Sequence, residues 1–138
     1  MLTILRVATE RDELRIVHDQ TGAPTCAADL AAATAKILTG ILTRTKGAFN
    51  FPAVSGTYHM TAAGQTTWHE FAKTIIEEAG RTPQNLSWLT AATSGRALMA
   101  SRVLPISTEE FHSRTHRPAC SLLSNALLKQ TFGVTLSD

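Results

Sequence analysis

A strand, a turn and a helix follow one another in the segment RIVHDQTGAPTCAADLAAATAKIL, and this succession constrains the fold more than any other feature. Apolar residues such as Leu30 and Ile37 recur at helical spacing, which predicts an amphipathic helix that must bury one face. Thr25 is the expected N-cap of that helix, and Asp29 follows near its positive end. Because a strand leads directly into the helix, we expect an α/β fold in which helices pack on short strands.

The rest of the chain alternates between helical and extended patterns. A short N-terminal helix is expected to end near Asp12, and a strand should follow over residues 14–19. A second long helix should begin after a cap at Thr66 or Thr67 and end at Gly80. Its apolar residues Phe71, Ile75 and Ala79 should lie on one face. The further expectations are a loop over 47–56, a strand over 57–62, a helical turn over 86–92, a strand over 102–107, a capped turn over 107–111 and a last helix over 124–133 that ends at Gly133.

Size, charge and hydropathy favour one ordinary domain. With 138 residues, of which 43% are hydrophobic and 17% charged, the chain is long enough to bury a core, so we expect a single domain over residues 1–138. The formal net charge is +2 and the basic residues are scattered, which argues against nucleic acid as a partner. Every apolar run is shorter than the roughly 20 residues that span a bilayer, and the N-terminus lacks a signal-peptide pattern. We therefore expect a cytoplasmic protein with no membrane partner.

The motifs of self-contained redox or hydrolytic chemistry are missing from the sequence. No GxGxxG or GxxxxGK[ST] pattern follows a predicted strand, and no GxSxG nucleophile elbow occurs. Tyr58 is the only tyrosine, and Ala62 rather than lysine stands four positions later, so a Tyr-x3-Lys proton-donor pair cannot form. From these patterns we expect no catalytic and no cofactor-binding residue in this chain.

Metal-binding and disulfide chemistry are not expected either. Cys26 and Cys120 lie far apart without a CxxC partner, which favours two reduced thiols in packing roles over a disulfide or a zinc site. His112 and His116 form the only i, i+4 histidine pair, and they fall in a predicted loop. We therefore expect no metal ligands.

Arg117, which precedes Pro118, has two open interpretations. A guanidinium matches phosphate oxygens as a bidentate fork, so Arg117 would suit a ligand that carries phosphate. A single arginine in a loop is more often a solvated side chain or the partner of a carboxylate. The sequence pattern by itself leaves both interpretations open.

Three blocks of the sequence together resemble one enzyme family. The blocks are RIVHDQTGAPTCAADLA, SGTYHMTAAGQTTWHEFAKTIIEEAG and LPISTEEFHSRTHRPACSLLSNALLKQTFGVTLSD, in that order. They are similar to segments of the dTDP-4-dehydrorhamnose reductases, which are extended short-chain dehydrogenases that act on sugar nucleotides. The order and spacing of the blocks match that family over nearly the whole chain.

The resemblance implies that the chain corresponds to the C-terminal, substrate-binding half of such an enzyme. The implied fold is a small mixed α/β subdomain, with helices packed on short strands and without the Rossmann half. Full-length members reduce dTDP-4-dehydro-L-rhamnose to dTDP-L-rhamnose for polysaccharide biosynthesis, and their first half holds NADPH and the catalytic Thr, Tyr and Lys. We therefore expect a dTDP-sugar nucleotide as ligand, NADPH as cofactor of the full-length enzyme, and no cofactor bound by this chain alone.

Four substrate-binding residues are also implied by the resemblance. It places Asp19, Gln20 and Thr25 at the edge of the ligand cleft, where their side chains would offer hydrogen bonds, and it places Arg117 near the substrate pocket. For Thr25 the alternative is a plain helix cap, and for Asp19 or Gln20 it is a bond that ties the turn to itself. Trp68, at a helix start, is either a packing anchor or a stacking platform for thymine.

Departures from the family pattern leave a second function open. Many relatives have Asn where Cys120 stands and Arg where Leu122 stands, so any polar contact made there would be lost. Some relatives bind Mg²⁺ through a Glu at the position of Ala28, which cannot ligate a cation, so no metal dependence is expected. The chain is therefore either part of a reductase or a non-catalytic domain that binds sugar nucleotides or a protein. An uncovered apolar face is expected, which would pair with a separate cofactor-binding half or with a second copy.

Overall fold

The computed structural model describes residues 1–44, 54–83, 85–113 and 115–137. Within these residues the contacts divide the chain into two compact units, each built from two separate stretches of sequence. Unit 1 comprises Met1–Thr21 and Thr66–Cys120, and unit 2 comprises Gly22–Gln65 and Ser121–Asp138. Residues 47–53 of the predicted loop lie outside the described residues.

Helices alternate with short strands along the described chain. In chain order the elements are Leu2–Ala8 (α1), Glu13–Val17 (β1), Thr21–Gly22 (β2), Ala27–Arg44 (α2), Thr66–Thr67 (β3), Trp68–Arg81 (α3), Ser87–Thr93 (α4), Arg102–Ile106 (β4), Thr108–Phe111 (α5) and Ala126–Phe132 (α6). This mixture confirms the predicted α/β fold class. In the described chain, none of the helices has both the length and the apolar character that a membrane span requires.

The strands β1 and β4 of unit 1 pair in parallel. Glu13 stands opposite Arg102 at the start of the pair, where their side chains form an ion pair at 2.6 Å, and Val17 stands opposite Ile106 at its end. Pro105 has no N–H to donate, which a strand with a single neighbour tolerates. Because the strands run the same way, the chain leaves both of them at one edge of the sheet.

The core of unit 1 contains residues of α1, α3 and α4. Leu5, Ile75, Ala79 and Leu89 are buried together, and Phe71 packs against them. This cluster confirms the predicted apolar face of α3. Burying a leucine of this kind stabilises a fold by roughly 1.5–3 kcal/mol, so the cluster holds the three helices in place.

The boundaries of α3 are partly as predicted. The hydroxyl of Thr67 accepts a hydrogen bond from the backbone N–H of Glu70 at 3.1 Å, which confirms the predicted N-cap. The predicted end at Gly80 is wrong because the helix continues through Arg81. Gly80 does not adopt the left-handed conformation of a glycine that ends a helix, and the guanidinium of Arg81 forms an ion pair with Glu78 at 2.7 Å.

The helix α1 ends at Ala8, four residues before the predicted end near Asp12. The carbonyl of Ala8 accepts hydrogen bonds from the backbone N–H groups of Met99 and Ala100, at 2.8 and 3.0 Å. A longer helix would need that carbonyl for the N–H of Asp12. The hydroxyl of Thr9 also bonds back to the helix, at 2.8 Å from the carbonyl of Arg6.

Unit 2 has its own core around α2 and the C-terminal segment. Ala33 of α2 is buried with Val134 and Leu136, and Phe132 of α6 packs against them. The predicted last helix is confirmed, and Gly133 closes it with a left-handed φ of 65°. That conformation is accessible to glycine at little cost, which explains the residue type at this position.

The predicted strand over residues 57–62 is wrong, because these residues form no strand. Side chains of unit 2 satisfy their backbone groups instead. The carboxamide of Asn125 accepts from the N–H of Thr61 at 3.1 Å and donates to its carbonyl at 2.8 Å. The N–H of Ala62 donates to the hydroxyl of Thr25 at 3.0 Å. These bonds replace the ladder that a neighbouring strand would supply.

The predicted role of Thr25 as N-cap of α2 is wrong by one position. The carbonyl of Cys26 accepts the first helical bond, from the N–H of Leu30 at 3.1 Å, so Cys26 occupies the capping position. The hydroxyl of Thr25 donates to the carbonyl of Ala23 at 2.9 Å and accepts from the N–H of Ala62. Thr25 therefore fastens the turn before α2 to a distant segment of unit 2.

Both cysteines are free, as predicted, but their predicted packing role is wrong. Cys26 and Cys120 are exposed. Cys26 stands at a helix start, and Cys120 contributes backbone contacts in an isolated bridge with Thr21. Neither position requires a buried side chain.

Candidate functional site

A cavity of about 390 Å³ in unit 1 brings together aromatic, cationic and amide side chains. Its walls come from α1, β1, α3, α5 and the segments that follow β1 and α5. The lining residues are Met1, Thr3, Ile4, Arg15, Ile16, Val17, Gln20, Trp68, Phe111, Ser113 and Arg117. The volume falls within the roughly 300–1,000 Å³ typical of small-molecule sites.

The parallel pairing of β1 and β4 positions the polar wall of this cavity. Because both strands end at the same edge, the segments that follow them lie side by side. Gln20 follows β1 and Thr108 follows β4, and the Nε2 of Gln20 donates to the Oγ1 of Thr108 at 3.0 Å. Gln20 is only 8% exposed. The cavity therefore has a buried amide side chain with one end fixed.

Asp19 contacts Thr108 and is not among the lining residues. Its carboxylate accepts the backbone N–H of Thr108 at 2.9 and 3.1 Å and the hydroxyl of Thr108 at 2.6 Å. The hydroxyl bond first, and the N–H bond second, hold the pKa of Asp19 below its ordinary value. Asp19 is therefore ionised at neutral pH, and Thr108 is bonded to both Asp19 and Gln20.

Two guanidinium groups give the cavity a positive charge. Arg15 comes from β1 and Arg117 from the segment after α5, and both are exposed. Neither has a recorded hydrogen-bond or ion-pair partner among the residues that the structure describes. No carboxylate is found among the described lining residues. Guanidiniums in such a setting favour anionic ligands, and phosphate matches their geometry.

Trp68 and Phe111 supply aromatic surface. Trp68 is the first residue of α3, and its ring meets that of Phe71 edge-on, with 6.4 Å between centroids. Trp68 nevertheless remains 48% exposed, and Phe111 55%. Trp68 is thus anchored to the core on one side and accessible on the other, so both interpretations of its role agree with the structure.

Thr25 belongs to unit 2 and does not line this cavity. Its hydroxyl makes the two bonds to Ala23 and Ala62 described above. The structure therefore brings Gln20 and Arg117 to one cavity and joins Asp19 to Gln20 through Thr108.

Unit 2 contains a cavity of about 410 Å³ with a different lining. Its walls are small or aliphatic residues with two amide side chains: Ala23, Ala62, Ala63, Gly64, Gln65, Leu122, Leu123 and Asn125. None of these described residues is charged. The carboxamide of Asn125 is committed to Thr61, so this cavity offers little to an anionic ligand.

Sequence reasoning missed Arg15, Phe111 and Thr108 as site residues. Thr108 was expected only in a capped turn, and its bonds to Gln20 and Asp19 cross 88 and 89 residues of sequence. Arg15 lies at an exposed position of β1, and its sequence neighbours gave no sign that it lines a cavity. Only the tertiary fold brings Arg15 and Phe111 to the cavity and Thr108 into contact with Gln20.

Comparison with known proteins establishes the family. A sequence model described as the RmlD substrate binding domain matches residues 1–138. The chain belongs to this family. This match confirms the family that the three sequence blocks indicate, and it covers the whole given sequence.

Relatives of this chain include several dTDP-4-dehydrorhamnose reductases. The one from Burkholderia thailandensis is 45% identical over 137 residues, which are 99% of this chain and 41% of that protein. The crystal structure of the reductase from Clostridium acetobutylicum superposes with a TM-score of 0.68 at 29% identity, over 98% of this chain and 38% of that one. The chain thus spans about two fifths of the length of the reductases it matches.

A third relative holds a nicotinamide cofactor. The dTDP-4-dehydrorhamnose reductase from Bacillus anthracis, solved in complex with NADP, gives a TM-score of 0.68 at 29% identity over 99% of this chain and 38% of that one. The two paired strands of unit 1, β1 and β4, lack the turn that is typical of a dinucleotide phosphate site. β1 leads into Asp19 and Gln20, and β4 leads into Ser107, which caps the four-residue α5. Neither strand is followed by a glycine-rich turn that opens a long helix.

Proposed function

We propose that this chain is the substrate-binding portion of a dTDP-4-dehydrorhamnose reductase, and that the unit 1 cavity holds the nucleotide of a dTDP-sugar. The observation that carries the proposal is the joint presence of two guanidiniums, accessible aromatic rings and a fixed amide in one cavity. A nucleoside diphosphate needs all three, because it combines two phosphates, an aromatic base and hydrogen-bonding groups. The family and its reductase relatives support the same ligand class.

Arg15 and Arg117 bind the diphosphate in this proposal. Each guanidinium offers five N–H donors in a fixed fork, which suits phosphate oxygens. Their positive charge is not offset by a lining carboxylate in the described residues. Gln20 supplies a hydrogen bond, and Trp68 with Phe111 supplies the surface on which the thymine ring packs. The predicted contact of Thr25 with the ligand stays a prediction.

The remaining three fifths of a full-length reductase supply the cofactor site and the catalytic groups in this proposal. NADPH gives the hydride when it is bound there, and this chain binds and orients the dTDP-sugar. Residues 1–138 act as one substrate-binding domain, and the expected partner is a cofactor-binding half or a second copy of the chain. A cytoplasmic location stays a prediction, consistent with two free thiols.

Calorimetric titration of the 138-residue chain with dTDP and with thymidine tests the proposal. We expect dTDP to bind and thymidine to bind more weakly, because thymidine lacks the diphosphate. Arg117→Ala should weaken dTDP binding roughly tenfold or more and leave thymidine binding within twofold, since a charge-assisted hydrogen bond contributes about 1.5–3 kcal/mol. Leu123→Ala in unit 2 is the matched control, and it should change neither affinity.

A turnover assay separates the two functions that the sequence leaves open. NADPH oxidation is measured with dTDP-4-dehydro-L-rhamnose and the chain alone. Binding of dTDP without turnover agrees with a substrate-binding portion. Turnover by the chain alone would contradict the assignment of the cofactor and catalytic groups to the rest of the enzyme. If dTDP fails to bind to the folded chain, the nucleotide site is refuted and a protein-interaction domain is favoured.

A further inference from the structure

Thr108 sits between Asp19 and Gln20 and bonds to both. Its hydroxyl donates to the Oδ1 of Asp19 at 2.6 Å, and its oxygen accepts from the Nε2 of Gln20 at 3.0 Å. The backbone N–H of Thr108 also donates to the carboxylate, which fixes the position of the hydroxyl. Gln20 lines the cavity, whereas Asp19 and Thr108 do not.

The charge of Asp19 decides which way this chain of bonds runs. An ionised carboxylate can only accept, so the hydroxyl proton of Thr108 must point to Asp19. The hydroxyl then has only lone pairs left for Gln20, and only the NH₂ end of the carboxamide can meet them. The two ends of a carboxamide are otherwise nearly equal in shape, so this bond selects one of two orientations.

The other end of Gln20 is therefore its oxygen. Among the described residues, every fully buried polar atom of a side chain has a hydrogen-bond partner. No bond to the Oε1 of Gln20 is recorded, so that atom keeps access to solvent on a residue that lines the cavity. Gln20 thus offers an acceptor of fixed orientation on a residue that lines the same cavity as Arg15 and Arg117.

We propose that Asp19 and Thr108 are positioning residues that orient the Gln20 carboxamide, so that its oxygen accepts a hydrogen bond from an N–H or O–H group of the bound nucleotide. The choice of ligand rests on the function proposed above, whereas the orientation of the amide does not. Neither Asp19 nor Thr108 touches the ligand. Asp19 selects for a donor on the ligand because its charge fixes the direction of both hydrogen bonds.

Two substitutions at Thr108 distinguish the role of its hydroxyl from that of its side-chain volume. Thr108→Val keeps the branched side chain and loses the hydroxyl, whereas Thr108→Ser keeps the hydroxyl. We expect Thr108→Val to weaken dTDP binding about tenfold, which corresponds to one ordinary hydrogen bond, and Thr108→Ser to stay within twofold. Asp19→Asn should weaken binding by a similar factor. The amide NH₂ of the new side chain can donate to Thr108, so the Thr108 hydroxyl no longer has to donate to residue 19 and the Gln20 carboxamide can exchange its oxygen and NH₂ ends. Far-UV circular dichroism checks that each variant folds.

A double-mutant cycle shows whether Thr108 acts through Gln20. Gln20→Met removes the acceptor with little change in volume and should itself cost about tenfold in affinity for dTDP. In that background, Thr108→Val should add less than twofold, since the interaction it supports is already gone. If Thr108→Val costs tenfold in both backgrounds, or costs nothing in either, the positioning role is refuted.

A measurement without ligand keeps the two proposals distinguishable. In the ¹⁵N spectrum of the free chain, the side-chain NH₂ signal of Gln20 should move in Thr108→Val and in Asp19→Asn and stay in place in Thr108→Ser. If it does so while dTDP fails to bind, the orientation holds, and both the nucleotide function and the acceptor role fail. If dTDP binds and the NH₂ signal of Gln20 does not move in Thr108→Val or Asp19→Asn, the orientation by Thr108 is refuted and the nucleotide function stands.

Discussion

The two units contain cavities of nearly equal size and opposite chemistry. The cavity of unit 1 measures about 390 Å³ and that of unit 2 about 410 Å³. The first has guanidiniums, aromatic rings and a fixed amide, whereas the second is lined mainly by alanine, glycine and leucine. The volume of the two cavities therefore does not indicate which one binds a ligand, and the side chains that line them are the better guide.

The difference arises from how each wall is built. In unit 1 the wall is made at the carboxyl ends of two parallel strands and at the start of a capped helix, where side chains project from fixed backbone. In unit 2 much of the wall is irregular chain, and its polar side chain at Asn125 is consumed in holding Thr61. In unit 1 the guanidiniums of Arg15 and Arg117 are left available to a ligand, whereas in unit 2 the carboxamide of Asn125 is used to hold Thr61.

Core substitutions should have the largest effect on the free energy of unfolding, and this effect should be similar in the two units. Leu89 in unit 1 and Leu128 in unit 2 are 0% and 1% exposed. Leu89→Ala and Leu128→Ala should each lower the free energy of unfolding by about 2–5 kcal/mol, measured by urea denaturation. Leu38→Ala, at a residue that is 51% exposed, serves as control and should change it by less than about 0.5 kcal/mol. A loss in one unit and none in the other would contradict equally tight packing of these two leucines.

Removal of the arginines of the unit 1 cavity should weaken dTDP binding, whereas substitutions in the unit 2 cavity should not. Arg15→Ala combined with Arg117→Ala should weaken dTDP binding by roughly a hundredfold, because two charge-assisted interactions are lost. The pair Leu122→Ala and Leu123→Ala alters the unit 2 cavity and should leave dTDP binding within twofold. Calorimetry measures both pairs. The reverse pattern would move the nucleotide site to unit 2.

Two threonines test the assignment at a smaller scale. Thr67→Ala removes the cap of α3, and Thr25→Ala removes the bonds to Ala23 and Ala62. Each should lower the free energy of unfolding by about 1 kcal/mol. If the unit 1 cavity is the nucleotide site, Thr25→Ala should leave dTDP affinity within twofold. A tenfold loss of affinity in the folded variant would instead support the predicted contact between Thr25 and the ligand.

The pH dependence of Asp19 gives the smallest effect. Hydrogen bonds from Thr108 lower its pKa in the folded chain, so its stabilising contribution is complete above the unfolded pKa of about 3.9 and is lost as the pH falls through the lower folded value. Asp19 therefore contributes no pH dependence to dTDP binding between pH 5 and 8. An NMR titration should show the pKa of Asp19 rising toward its ordinary value in Thr108→Val. An unchanged pKa in that variant would contradict the bond geometry.

Local features of the fold were predictable from the sequence. The Thr67 cap, the capping box at Ser107 and the stop at Gly133 are each decided by residues within one turn of a helix. The apolar face of α3 follows from spacing alone. Such features need no knowledge of distant residues, and the predictions of them are confirmed.

The errors and omissions come from partners far away in sequence. The strand over 57–62 was wrong because Asn125 and Thr25 take the backbone bonds that a strand would use. The early end of α1 depends on Met99, and the pairing of β1 with β4 has no local signal. For the site, Gln20 and Arg117 were named from the family resemblance, whereas Arg15 and Thr108 became visible only once the strands were paired.

The central claim is that unit 1 holds the nucleotide, and the two tryptophans of the chain test it directly. Trp68 lines the unit 1 cavity, whereas Trp88 lies on α4, is 46% exposed and does not line it. The measurement is a titration with dTDP that follows the two indole N–H signals in a ¹H–¹⁵N spectrum, assigned with Trp68→Phe and Trp88→Phe. We predict that dTDP shifts the Trp68 signal and leaves the Trp88 signal in place. Saturable binding of dTDP with no movement of the Trp68 signal would contradict the account.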